Sequence, residues 1–129
     1  MDKKEMDKKA RDESEISVSL SSDPTLIVTD NSGTRKVALT QDKYTIGRDE
    51  DNAIRLDSDF VSRHHAYVIR VQSLKSPSMF RIIDGSTSGK LSKNGLVVNA
   101  MQSVRSHDLN DGDIVTFAPE VHILYLAPR

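Results

Sequence analysis

The chain has no cysteine and no tryptophan, and only three tyrosines and three phenylalanines in 129 residues. Without cysteine there is no disulfide framework, no thiolate zinc site and no thiol nucleophile. So few aromatics leave no stacking platform for single-stranded nucleic acid. Neither sign of charge dominates. Lys and Arg number 18, Asp and Glu 19, for a formal net charge of -1, whereas a nucleic-acid binder shows a basic excess or patch. The charges read as a solvated surface. No apolar run approaches the roughly 20 residues that span a bilayer, and Met1-Asp2-Lys3-Lys4-Glu5 lacks the apolar stretch of a secretory signal. The expectation is a cytoplasmic, intracellular protein with neither nucleic acid nor membrane as partner.

Residues 1–22 are almost all charged or small and polar, with Lys3, Lys4, Lys8, Lys9 and Arg11 among acids. Such a stretch buries too little apolar surface to offset its ordering entropy, so it reads as a flexible leader. Ile16, Val18 and Leu20 alternate and suit a short strand extension. From residue 23 onward the pattern becomes one of short apolar or alternating runs with turn residues between them. Strands are expected at 25–29, 35–39, 44–46, 53–56, 66–71, 80–83, 96–98, 114–117 and 121–126. Asp30-Asn31-Ser32-Gly33 and Asn110-Asp111-Gly112-Asp113 supply turn signals. No window sustains a 3.6-residue period. Many short strands imply an all-β antiparallel sandwich over residues 23–129, with its loops gathered at the two ends.

Three small motifs sit where strands run into loops. Gly47-Arg48 opens the acidic stretch Asp49-Glu50-Asp51-Asn52. The glycine lets the backbone turn, and the planar fork of Arg48 suits two phosphate oxygens; the plainer reading pairs Arg48 with its acidic neighbours. Ser62-Arg63-His64-His65 offers a hydroxyl, a guanidinium and a histidine leading into a strand. His65 reads as a structural residue whose ring nitrogens bond loop backbone. A catalytic Ser–His pair lacks an acidic partner and a nucleophile elbow. His64, His107 and His122 have no ligand-like spacing, so no metal is expected. The third stretch, 84–95, is rich in glycine and hydroxyls and ends in Ser92-Lys93-Asn94-Gly95. Gly85 to Lys90 only approaches P-loop spacing. The amide of Asn94 carries donor and acceptor and suits a peptide main chain. No catalytic set emerges, so neither enzyme nor cofactor is expected.

Taken in order, Tyr44-Thr45-Ile46-Gly47-Arg48, Ser62 to His65, Ser92 to Asn99 and Leu109 to Phe117 resemble a forkhead-associated (FHA) domain over nearly everything beyond the leader. The resemblance implies an eleven-stranded antiparallel β-sandwich whose end loops bind phosphothreonine peptides. It gives Arg48 and Ser62, with Lys93, the phosphate, and Asn94 and Arg63 the peptide. Gly47, His65 and Gly95 shape the loops. Two departures stand out. The loop after Asp84 is longer than the family's usual Gly-Ser-Thr-Asn-Gly, and Lys93 stands where threonine is common. Asn99-Ala100 also replaces the usual Asn-Gly, a change expected to be confined to the hairpin turn.

The implied function is an adaptor in signal transduction, coupling a Ser/Thr kinase to assembly through a phosphothreonine-bearing substrate of that kinase. A monomer is the default. The alternative is a phosphate-independent scaffold that keeps the same fold. Because no threonine precedes Thr25, self-inhibition through a phosphothreonine in the leader is not expected.

Overall fold

The computed structural model describes residues 23–72 and 79–128. The leader, including the alternation at Ile16, Val18 and Leu20, lies outside the described residues. Eleven strands follow in chain order: β1 Thr25–Asp30, β2 Gly33–Ala38, β3 Lys43–Gly47, β4 Ile54–Arg55, β5 Ala66–Arg70, β6 Phe80–Asp84, β7 Leu96–Val98, β8 Gln102–Val104, β9 Ser106–Asp108, β10 Ile114–Ala118 and β11 Val121–Leu126. They form a six-stranded sheet, ordered β2-β1-β11-β10-β7-β8, and a five-stranded sheet, ordered β4-β3-β5-β6-β9. Pairing is antiparallel except between β3 and the two-residue β4, which run parallel.

Alternation along the strands builds the core. Leu26 and Val28 of β1, Val115 and Phe117 of β10, and Ile123 and Tyr125 of β11 point inward from one sheet. Tyr44 and Ile46 of β3, Val68 of β5, and Phe80 and Ile82 of β6 meet them from the other. Each such side chain contributes roughly 1.5–3 kcal/mol by leaving water. Period-two burial fixes register, since a one-residue slip would turn every core side chain outward.

Neither β8 nor β9 was expected from the sequence. Both are three residues long and have no buried side chain, so no apolar alternation marks them. Their pairing is set from outside, β8 by β7 and β9 by β6. The chain crosses between the sheets near Arg105, whose carbonyl accepts from the Asp84 N–H at 2.8 Å.

The β7–β8 turn holds both Asn99 and Ala100 in the left-handed region, at φ 53° and 60°. This is the twist that a two-residue hairpin needs and that glycine ordinarily supplies. The Ala-for-Gly change thus leaves the turn in place and stores strain in it. Ala100→Gly should raise stability by about 0.5–1 kcal/mol, the left-handed penalty of alanine less the chain entropy of glycine. A urea midpoint that moved down instead would show the turn to be unstrained.

Candidate functional site

Register brings the three motif loops to one end of the sandwich. Ile46 of β3 pairs with Ala66 of β5, which pairs with Asp84 of β6. The loops that leave β3, enter β5 and leave β6 therefore start side by side.

Gly47 is where the first two loops touch. A Cβ there would lie 2.1 Å from the Arg63 carbonyl oxygen, so only glycine allows the approach. Its φ is not in the left-handed range; close packing, rather than a sharp turn, requires glycine. The Arg48 N–H then donates to the Ser62 carbonyl at 3.0 Å, and the Asp49 N–H to the Arg63 carbonyl at 3.3 Å. Arg48 is half-buried, and its Nε donates to the Val61 carbonyl at 3.0 Å. Among the described residues it has no carboxylate partner, despite its acidic neighbours. With Nε anchored, its two terminal nitrogens remain for a ligand.

Asn52 ties these loops together, a role the sequence reading missed. It is buried, and its Nδ2 donates to the carbonyls of Asp49 and Arg63, both at 2.8 Å. In the sequence it closes an acidic run and looks like a turn residue, with nothing to mark a partner beyond the turn.

His65 joins the second loop to the third. It is fully buried against Phe117, ring centroids 5.1 Å apart. Its Nδ1 accepts from the Ser62 N–H at 3.1 Å, and its Nε2 donates to the Gly95 carbonyl at 2.8 Å. That pair of bonds requires the neutral ring with its proton on Nε2. Burial pushes the imidazole below its ordinary 6.5, against the raising pull of the Gly95 carbonyl and the Asp84 charge. Between the folded and unfolded values the unfolded chain binds a proton that the native state does not. Its contribution is therefore intact above pH 6.5 and is lost as pH falls through the folded value. His65→Gln should flatten the decline of stability as pH falls below 6.5. Urea midpoints measured across that range would show it, and identical slopes in both proteins would refute it.

The remaining groups converge on Ser62. Its Oγ accepts from the Lys93 N–H at 2.9 Å, which leaves the hydroxyl hydrogen free to donate outward. Because Oγ faces Lys93, and His65 takes the main-chain N–H of Ser62, no Ser–His nucleophile forms. Asn94 Nδ2 donates to the Phe60 carbonyl at 2.7 Å, so its Oδ1 can accept from a peptide N–H. Gly95, at φ 75°, closes the turn with its N–H on Ser92 Oγ at 2.8 Å. Arg48, Ser62, Arg63, Lys93 and Asn94 all line one open cleft of about 970 Å³. Gly47, His65 and Gly95 lie behind it as supports.

In the longer third loop, the N–H groups of Ser86, Gly89 and Lys90 donate within the loop itself, to Lys90 O, Ser86 O and Ser86 Oγ. Those amides are not available to cradle an anion as a P-loop does. His64, 13 residues from Asp51 in the chain, nonetheless lies 3.1 Å from it, and 4.0 Å from Asp49. Sequence spacing hid this cluster. It is a largely exposed group of one imidazole and two carboxylates, and we assign no ion to it.

The family profile of the FHA domain matches residues 44–118, and the chain belongs to that family, one of interaction modules. It is 34% identical over 102 residues to the Synechocystis protein sll1895, covering 78% of this chain and 14% of that protein. The chain thus spans only a small part of that relative's length. The solved structure of Slr1951, also from Synechocystis, superposes with a TM-score of 0.74 at 39% identity, covering 83% of this chain and 97% of that one. Mycobacterium tuberculosis EmbR, solved with a low-affinity phosphopeptide, has a TM-score of 0.61 at 28% identity, covering 81% of this chain and 24% of EmbR.

Proposed function

We propose that this domain is a non-catalytic phosphothreonine-peptide reader, with Arg48, Ser62 and Lys93 on the phosphate and Asn94 and Arg63 on the peptide. The observation that carries the reading is Arg48. It is fixed through Nε and has no carboxylate partner among the described residues, beside a Ser62 hydroxyl that already accepts from the Lys93 N–H and still has its hydrogen to donate. A purely structural sandwich needs no such half-satisfied pair at a cleft. Family membership and the phosphopeptide bound to EmbR support the same reading. The partner is then a protein phosphorylated by a Ser/Thr kinase, and the domain couples that signal to assembly inside the cell.

Selection from a phosphothreonine peptide library, followed by mapping of backbone amide shifts, tests the assignment. Shifts should cluster at residues 48, 62, 63, 93 and 94. Shifts confined to the outer face of either sheet would favour a phosphate-independent scaffold instead. Affinity should also fall below about pH 6, where the phosphate gains a proton and loses charge. A flat profile from pH 7 to 5 would argue against a dianion as the bound form.

A further inference from the structure

The lengthened loop between β6 and β7 is not a bystander to the cleft. Ser86, Ser88, Lys90 and Leu91 all line the same cavity as Arg48. The loop is braced by its own bonds, Ser86 N–H to Lys90 O at 2.8 Å, Lys90 N–H to Ser86 Oγ at 3.1 Å and Gly89 N–H to Ser86 O at 2.9 Å. Its first residue is fastened to the sandwich by the Gly85 N–H on the His65 carbonyl at 2.7 Å. Lys90 therefore projects from a closed turn at a fixed place on the rim.

The charge around it is unbalanced. Among the described residues Arg35, Arg70 and Arg81 pair with Asp30, Asp42 and Asp108. Among the described residues none of the four cleft cations, Arg48, Arg63, Lys90 and Lys93, has a carboxylate partner, as is also true of Lys36, Lys43, Arg55 and Arg105 elsewhere on the surface. Arg48 and Lys93, both next to Ser62, together balance one phosphate of roughly -1.5 to -2 charges. The cleft holds only two carboxylates, Asp49 and Asp59, against these four cations. The cavity, about 970 Å³, is also larger than a single phosphothreonine side chain requires. At the Ser86 and Ser88 side it adjoins a second hollow of about 190 Å³ bordered by the hydroxyl residues Thr45, Tyr67 and Thr87.

We infer that Lys90, with the Ser88 hydroxyl beside it, forms a second anion subsite, so that the domain selects phosphothreonine peptides bearing another carboxylate or phosphate within about three residues, roughly 10 Å of extended chain. The inference rests on the phosphopeptide reading above and names the class of peptide it takes.

The test is a fluorescence-anisotropy titration of the full chain with phosphothreonine peptides in which each flanking position in turn is alanine, glutamate or phosphoserine. Glutamate at one or two positions should tighten binding about 3-fold and phosphoserine about 10-fold, the range from an exposed ion pair to a charge-assisted one. Lys90→Gln should abolish that gain and change affinity for the all-alanine flank less than about 2-fold. Lys36→Gln, on β2, should leave the gain intact. A gain spread evenly over all positions, or retained in Lys90→Gln, overturns the subsite while leaving the phosphothreonine reading standing. Absence of binding, or binding indifferent to Arg48→Ala, overturns both. The glutamate and phosphoserine arms separate a carboxylate reader from a reader of doubly phosphorylated peptides.

Discussion

Replacing Arg48 by alanine is expected to weaken phosphothreonine-peptide binding by about 1.5–3 kcal/mol, the scale of a hydrogen bond to a charged group. The loss follows from where the guanidinium is held. Its Nε is committed to the Val61 carbonyl, so the fork is oriented before any ligand arrives, and little entropy is lost on binding. Losing that internal bond should lower stability by only about 1 kcal/mol, so the variant still folds. Arg48→Lys keeps the charge but not the fork, and should recover only part of the affinity. Titrations with one phosphopeptide, with urea midpoints in parallel, separate binding from folding. An affinity unchanged by Arg48→Ala would remove this residue from the site.

Gly47→Ala should be the most damaging single-methyl change in the molecule, lowering stability by about 3 kcal/mol or more. The added carbon would sit 2.1 Å from Arg63 O and 2.7 Å from Arg63 C, both main-chain atoms, with Asn52 Nδ2 at 3.0 Å. No flexible side chain can swing aside. Relief requires the Arg48 and Ser62 loops to part, which breaks the Arg48–Ser62 and Asp49–Arg63 backbone bonds. Binding should therefore fail even where the variant remains folded. Gly95→Ala is the contrasting case. A Cβ there meets nothing within 4 Å, and the cost is the left-handed φ of 75° alone, about 1–2 kcal/mol. Thermal or urea unfolding of the two variants would rank them, and equal, small losses would contradict the close approach at Gly47.

What could be read from the sequence was whatever local chemistry announces. Strands such as β1 and β11 were legible because each is a short run rich in leucine, isoleucine and valine, bounded by turn residues. The hairpin at Asn31-Ser32 was legible because Gly33, at φ 124°, is what such a turn demands. The polar strands β8 and β9 were not, since only their neighbours define them. Arg48, Ser62 and Asn94 could be named as candidates because their motifs, in order and spacing, resemble those of the FHA family; none of the motifs alone would have marked them. The structural role of His65 was legible as well, but not its partners at residues 62 and 95; Asn52 bridging two loops and His64 meeting Asp51 are tertiary and leave no periodic mark. The charge of Lys90 could be read from the chain, but not that its loop folds back into the Arg48 cleft.

The most direct measurement uses one library-selected peptide in three forms, phosphothreonine, phosphoserine and unmodified, titrated into the wild-type chain and into Arg48→Ala. Binding confined to phosphothreonine and lost in the variant is the expected result. Equal affinity for the three forms, undiminished by the substitution, would contradict phosphate recognition at this cleft and leave a scaffold that binds by another face.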